Sequence, residues 1–231
     1  MSHGQGHLVT SLLEDLDSLQ PRNFDVILTL NIPEVEPTLT GYSFPLRVIR
    51  NASPIGFGAN HNQAFLHAGR GHFAVVNPDI RLGDLALGIL AAPFADREVA
   101  ICAPAVVDAS GAVQDSARRF PTFGSLARRV LSRRRTADYA YGASPMDVDW
   151  VAGMFMLIRR AAFEAVGGFD ARRFFMYYED VDLCKRLARH GWKVTLQPTT
   201  SVVHEAQRAS HRNATHLRWH ASSALRYLTG L

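Results

Sequence analysis

The stretch His72-Phe73-Ala74-Val75-Val76-Asn77-Pro78-Asp79 decides the fold class. A short β-forming run leads straight into a turn sequence that ends on a carboxylate. Upstream, Leu46-Arg47-Val48-Ile49 is another β-rich run, and Ala59 to Ala68 between the two reads as a helix. Strand, helix and strand at this spacing imply a parallel α/β sheet with helices on its faces. Ligands of such open sheets gather beyond the carboxyl ends of strands, which puts Asp79 in the crevice. A carboxylate there can hold Mg²⁺ or Mn²⁺ through oxygen and leave positions free for diphosphate oxygens. Asn77-Pro78-Asp79 is equally an ordinary turn sequence when taken alone.

Working outward, Leu8, Val9, Leu12, Leu13, Leu16 and Leu19 recur at helical spacing and predict an amphipathic helix ended by Pro21. Asp25 to Leu30 reads as a strand, Leu85 to Leu90 as a helix and Val99 to Ala103 as a strand. Regular periodicity lapses from Val106 to Pro145. It resumes with Trp150 to Ile158, read as one buried strand, and with a helix ending near Gly167-Gly168, where glycines can take the left-handed cap conformation. A helix from Glu179 stopped by Gly191, a strand from Lys193 to Leu196 and a terminal helix from His211 to Leu228 complete the pattern.

The 231 residues and 47% apolar content suit a single domain, residues 1–231, with a ligand-binding half to about residue 104 and a catalytic half from 105. No apolar stretch reaches the roughly 18 to 20 residues of a membrane span, and the polar start from Met1 to His7 is unlike a signal peptide. The expectation is a soluble, cytoplasmic protein. Cys102 and Cys184 read as buried thiols. The net charge of +4 does not suggest a nucleic-acid partner. The arginines at 128, 129 and 133–135 suit phosphates or an anionic membrane surface, although such runs usually just face water.

Three further groups bear chemistry. Tyr177-Tyr178-Glu179-Asp180-Val181-Asp182 crowds three acids into a first helical turn, more than capping and the helix dipole require. Adjacent carboxylates beside aromatic rings can have their proton affinities pushed apart, as a general base and its partner need. Gly56-Phe57-Gly58-Ala59-Asn60-His61-Asn62 is a small-residue turn opening a helix, able to bring backbone close to a nucleotide, yet it lacks the third glycine of a dinucleotide fingerprint. His204 closes an apolar run and is followed by Arg208 and Ser210, both good phosphate partners. His216 and His220 share a helix face and read as packing or surface residues.

Taken together, residues 51–62, Val75 to Ile80, Trp150 to Phe155, Val166 to Asp170 and Phe175 to Leu183 resemble glycosyltransferase family 2, especially its rhamnosyltransferase-like branch. The order and spacing match over nearly the whole chain. The resemblance implies a GT-A fold, a mostly parallel mixed sheet flanked by helices. It also implies an inverting displacement at the sugar's anomeric carbon, a nucleoside-diphosphate sugar donor, a divalent cation and a glycan or lipid-linked glycan acceptor. Carried onto this sequence, Asp180 resembles the catalytic base and Glu179 its partner. Asp79 resembles the metal-contacting acid, with Asn77 at the first position of that motif, and His204 the histidine that completes the metal shell. Asn31, Gly58, His61, Asn62 and Arg208 fall on the donor side, and Trp150 with Gly153 on the acceptor side.

Three departures stand out. The apolar strand that opens the family's sheet is missing before Ser2-His3-Gly4-Gln5. Leu30 stands where an acid is expected, with Glu34 nearby as a substitute, and Asn77 replaces another acid. The first two leave open a non-catalytic sugar-nucleotide-binding or scaffold domain. A metal-dependent phosphohydrolase built on Asp79 and His204 is a weaker rival, since no second ligand cluster accompanies them.

Overall fold

The structure, a computed structural model, describes residues 1–125, 137–205 and 214–230. Its first helix, α1 (Gly6–Ser18), buries Leu8, Val9, Leu12 and Leu13 and so uses the apolar stripe seen in the sequence. Asp15, at the edge of that stripe, takes two hydrogen bonds from Arg81, at 2.8 and 2.6 Å, and one from the Leu82 amide at 2.9 Å. Burial alone would raise the Asp15 pKa, yet these three donors outweigh it and the carboxyl sits below its usual value. The helix is thereby pinned to the strand beyond Asp79.

Among the described residues the strands divide among three sheets. β1 (Val26–Leu30) pairs in parallel with β2 (Leu46–Arg50). A six-stranded sheet contains β3 (His72–Val76), β4 (Ile80–Arg81), β5 (Val99–Val107), β7 (Met146–Val148), β9 (Phe155–Arg159) and β10 (Lys193–His204). Its order is β3-β9-β5-β10-β4, with β7 also on β10. The longest ladder, β5 with β10, is parallel, and the others in this sheet are antiparallel. β6 (Ala117–Arg118) and β8 (Trp150–Val151) form a small antiparallel pair. The succession β2, α2 (Phe57–Phe65), β3 is present, but β2 lies beside β1 whereas β3 lies beside β9.

Three further outcomes differ from the sequence expectation. The run from Trp150 to Ile158 is two strands in different sheets, broken at Ala152 to Met154, because the backbone turns there to meet other elements. The helix expected from Leu85 is short, α3 (Leu87–Ala91), and passes into a 3₁₀ turn at Ala92–Ala95 that carries Pro93. β10 extends to His204, well past Leu196, with irregular register between Gln197 and Ser201.

The remaining helices are α4 (Arg160–Ala165), α5 (Glu179–Arg189) and α6 (Ala214–Thr229). α4 ends at Gly167 and Gly168, both at positive φ. The central core gathers Phe65, Phe73, Phe163 and Phe169 from α2, β3, α4 and the loop after it, with ring centroids 4.7 to 5.8 Å apart. Among the described residues no helix is long and apolar enough to cross a membrane. The arginine cluster at 128–135, together with Arg208 and Ser210, lies outside the described residues.

Candidate active site

Glu179 and Asp180 open α5 immediately after Tyr177 and Tyr178, which both hold left-handed backbone, with φ of 71° and 68°. Two such residues in succession are costly for bulky side chains and mark a turn fixed by its surroundings. The turn is braced by the Phe175 carbonyl, which accepts the amide of Phe57 at the start of α2 at 3.0 Å. Gly56 packs against that carbonyl so closely that a Cβ would overlap it.

The three acids of this turn do three different things. Asp182 is buried and bridges Arg186 at 2.7 Å and Arg173 at 3.4 Å. Arg186 in turn donates to the carbonyls of Val166 and Gly168, each at 2.7 Å, so this pair fastens α5 to the glycine turn after α4. Asp180 accepts the amide of Gly153 on Oδ2 at 2.9 Å and that of Val181 on Oδ1 at 2.8 Å. Glu179 is buried, and its Oε2 has no hydrogen-bond partner. Burial, then the neighbouring Asp180 charge, pushes the Glu179 pKa up to about 8. Burial raises Asp180 as well, against the opposing pull of the Gly153 and Val181 amides and of the Arg118 charge. Those donors favour ionised Asp180, so the proton of the pair resides on Glu179.

On the other side of the site, β4 pairs with the end of β10, His204 opposite Ile80, and this pairing brings Asp79 to His204. Asp79 Oδ2 lies 3.2 Å from His204 Nε2, while Asp79 Oδ1 is buried without a partner. Gln114 orients the ring. Its Oε1 lies 2.9 Å from His204 Nδ1, and its Nε2 donates to the His204 carbonyl at 3.4 Å. With its amide so turned, Gln114 can only accept at Nδ1, so a neutral His204 presents its Nε2 lone pair to the Asp79 carboxylate. Two acceptors facing each other, next to an orphaned carboxylate oxygen, fit a shared positive charge. Among the described residues there is no cluster of three or more His, Cys, Asp or Glu able to hold a metal. Asp79 and His204 could supply two ligands to a divalent cation, whose other positions would fall to phosphate and water.

The two sides meet on one dipeptide. Gly153 donates to Asp180, and the carbonyl of the next residue, Met154, accepts the amide of Asn77 at 2.9 Å. The break between β8 and β9 is therefore what ties the Glu179-Asp180 turn to the Asn77-Pro78-Asp79 turn. Trp150 lies one strand away, buried, with its indole N–H on the Arg119 carbonyl at 2.9 Å and the Arg118 guanidinium 5.7 Å from its ring centroid.

The residues expected on the donor side frame the site through protein contacts. Asn31 Oδ1 accepts from Asn51, Ile55 and Asn60, each at 3.0 Å, and its amide donates to the Ile55 carbonyl, which fixes the loop before α2. Asn62 brackets Phe169, donating to its carbonyl at 2.8 Å and accepting its amide at 2.9 Å. Gly58 lies where a Cβ would meet the Phe169 side chain at 2.7 Å. His61 is buried between Phe57 and Phe169. Leu30 is buried, and Glu34 accepts the amide of Gly4.

Sequence patterns missed Gln114 and Arg118, which sit where periodicity lapses and carry no motif. They also missed how the terminal helix covers the acids. His216 Nδ1 lies 2.8 Å from the Tyr177 hydroxyl, and the His220 ring packs on Tyr177 and Tyr178 at 5.3 and 5.4 Å. The helical spacing of the two histidines was visible, but their partners were not.

The arrangement can be set beside known proteins. The family model described as "Glycosyltransferase like family 2" matches residues 37–222. The N-acetylglucosaminyl-diphospho-decaprenol L-rhamnosyltransferase of Mycobacterium tuberculosis (strain CDC 1551 / Oshkosh) is 36% identical over 167 residues, 67% of this chain and 53% of that protein. The rhamnosyltransferase WbbL of Escherichia coli (strain K12) is 44% identical over 85 residues, 35% of this chain and 31% of that protein. The match thus spans about half the length of the mycobacterial relative and about a third of the other. Among solved structures, GalNAc-T7 with UDP, GalNAc and Mn²⁺ aligns with a TM-score of 0.68 at 15% identity, over 87% of this chain and 41% of that one, a likeness of fold. The architecture is that of the GT-A glycosyltransferases, and the chain belongs to glycosyltransferase family 2.

Proposed function

We propose that this protein is an inverting glycosyltransferase. It moves a sugar, rhamnose in the reading its relatives' names favour, from a nucleoside-diphosphate donor to a hydroxyl of a glycan or lipid-linked glycan. The observation that carries the proposal is the Asp180 carboxylate, held between two backbone amides and joined through Gly153 and Met154 to the Asn77 turn. In the reaction the acceptor oxygen forms its bond to the anomeric carbon as the bond from that carbon to the diphosphate oxygen breaks. The hydroxyl proton passes to Asp180. Burial lifts the proton affinity of Asp180 above that of a surface carboxylate, which suits a general base. Glu179, holding its proton, can donate a hydrogen bond to the acceptor.

Asp79 and His204 would hold a divalent cation, which when bound offsets the charge of the departing diphosphate. The relative from M. tuberculosis carries a diphospho-decaprenol acceptor in its name, which supports action on a lipid-linked acceptor with peripheral membrane contact. The test is incubation of the protein with nucleoside-diphosphate sugars, Mn²⁺ and a polyprenyl-diphosphate-linked N-acetylglucosamine, followed by mass spectrometry of the acceptor. Addition of one deoxyhexose from the rhamnose donor is expected. Donor binding without transfer from any sugar would favour a non-catalytic sugar-nucleotide-binding domain instead.

A further inference from the structure

One short segment runs from the Asp79–His204 pair to Trp150. At its start Gln114 holds His204 through Nδ1 at 2.9 Å. The chain turns at Asp115, where the Ser116 amide donates to the Gln114 carbonyl at 2.8 Å. The Ser116 carbonyl then accepts the amide of Ala152, the neighbour of Gly153, at 2.8 Å. At the far end the ladder of β6 with β8 sets Arg118 opposite Trp150. Asp79 and His204 thus lie at one end of the segment and Arg118 at the other.

Arg118 is held by one edge of its guanidinium. Its Nε donates to the Asp115 carbonyl at 2.8 Å and lies 2.9 Å from Asp115 Oδ2. Among the described residues nothing bonds to its two Nη groups, and the side chain is 32% exposed. Its charge is felt at Asp180, where it favours the ionised carboxylate. A guanidinium fixed at Nε and open at both Nη groups presents a planar fork that can grip two oxygens of one phosphate. The next residue is placed differently. Arg119 is exposed, and its guanidinium lies 5.2 Å from the Tyr139 ring centroid.

Resting on the transfer reaction proposed above, we propose that Arg118 receives a phosphate of the acceptor and so selects acceptors whose sugar is linked through phosphate or diphosphate. Two anions can approach the site in that reaction, the donor's diphosphate and a phosphate of the acceptor. The donor's falls to a cation at the Gln114 end of the segment. An anion at Arg118 enters on the Trp150 side, next to the carboxylate that takes the acceptor proton. Asp180 by itself would repel an acceptor phosphate, and the Arg118 charge offsets that repulsion.

The test is calorimetric titration of the full chain, without donor or divalent cation, with two probes. One is N-acetylglucosamine joined to an alkyl chain through diphosphate, and the other is the same sugar joined to the same chain as an uncharged glycoside. The diphosphate form should bind about 10 to 100-fold tighter, as hydrogen bonds to a charged group allow. Arg118→Gln should bring the two affinities within about threefold of each other. Arg118→Lys, which keeps the charge but not the fork, should restore part of the difference. Arg119→Gln, an equal loss of charge on the exposed neighbour, should leave the preference intact. Absence of a preference in the unsubstituted protein, including no binding of either probe, overturns the proposal. So does a preference that survives Arg118→Gln or is lost equally in Arg119→Gln. Titration of the nucleotide donor into Arg118→Gln with Mn²⁺ present separates the two sources of phosphate. An unchanged Kd supports an acceptor phosphate, whereas a comparable weakening assigns Arg118 to the donor and overturns the proposal. No step requires sugar transfer, so a protein that shows the preference yet transfers nothing would count against the reaction and not against this site.

Discussion

The amide of Gly153 meets Asp180 Oδ2 at 2.9 Å beside the edge of the Phe57 ring. A Cβ at position 153 would lie 3.1 and 3.4 Å from the Phe57 ring and 3.7 Å from the Asp180 Cβ. Phe57 is itself packed on His61 and Phe169, so it has little room to withdraw. Gly153→Val is expected to displace Asp180, lower the transfer rate by about 10 to 100-fold and cost about 1 to 3 kcal/mol of stability. Initial rates and urea unfolding of the same preparation check both. Full activity would mean that the Gly153 contact does not position the carboxylate.

Glu179 makes stability depend on pH with a definite sign. Its pKa is raised from 4.5 to about 8 in the folded protein. Between those values the folded state keeps a proton that the unfolded state has lost, so stability falls as pH rises from about 4.5 to about 8 and levels off above. Glu179→Gln has no such proton to lose and should show a flatter profile across that window. Denaturant unfolding at intervals of pH compares the two, and parallel profiles would contradict the assignment of the proton to Glu179.

Gln114 should matter to cation affinity without touching a cation. It orients His204 through Nδ1 at 2.9 Å. Partners of this kind typically change metal affinity by about 10 to 100-fold, and a weakening of that size is expected for Gln114→Ala in a Mn²⁺ titration followed by thermal shift. Asp79→Asn should abolish the Mn²⁺-dependent shift. An undiminished shift in both variants would place any cation elsewhere.

Asp182 is expected to act on stability rather than chemistry. It is buried against Arg186, which holds the turn at Gly168, so Asp182→Ala takes the carboxylate from a half-buried guanidinium that keeps only its carbonyl partners and should cost about 1 to 3 kcal/mol. Calorimetry or urea unfolding measures it. A loss under about 1 kcal/mol would show that the turn is held by its other contacts.

Much of the fold was legible in the sequence because local rules govern it. The stripe on α1, the strand at His72 to Val76 and the stop of α5 near Gly191 depend on periodicity and on glycine's tolerance of positive φ, here 82° at Gly191. Strand partners were less legible. β2 and β3 follow the strand-helix-strand pattern yet do not pair, since pairing depends on elements distant in sequence. The apolar run from Trp150 to Ile158 hid the break at Gly153, because both halves are buried and hydrophobicity does not mark a change of sheet. The acids at 179 and 180 were visible as a cluster, but their division of labour was not. It follows from amides at Gly153 and Val181 that reach both oxygens of Asp180, whereas Glu179 Oε2 has no donor.

The central claim is that Asp180 takes the acceptor proton. Its most direct test is the rate of rhamnose transfer by Asp180→Asn, measured beside the Kd for the nucleotide donor. Asparagine keeps the shape and can still accept from the Gly153 amide, but it cannot serve as a base. Transfer should fall by about 100 to 10,000-fold with donor binding unchanged. Transfer within about threefold of the unsubstituted protein would contradict the assignment, since removal of a general base costs far more than that.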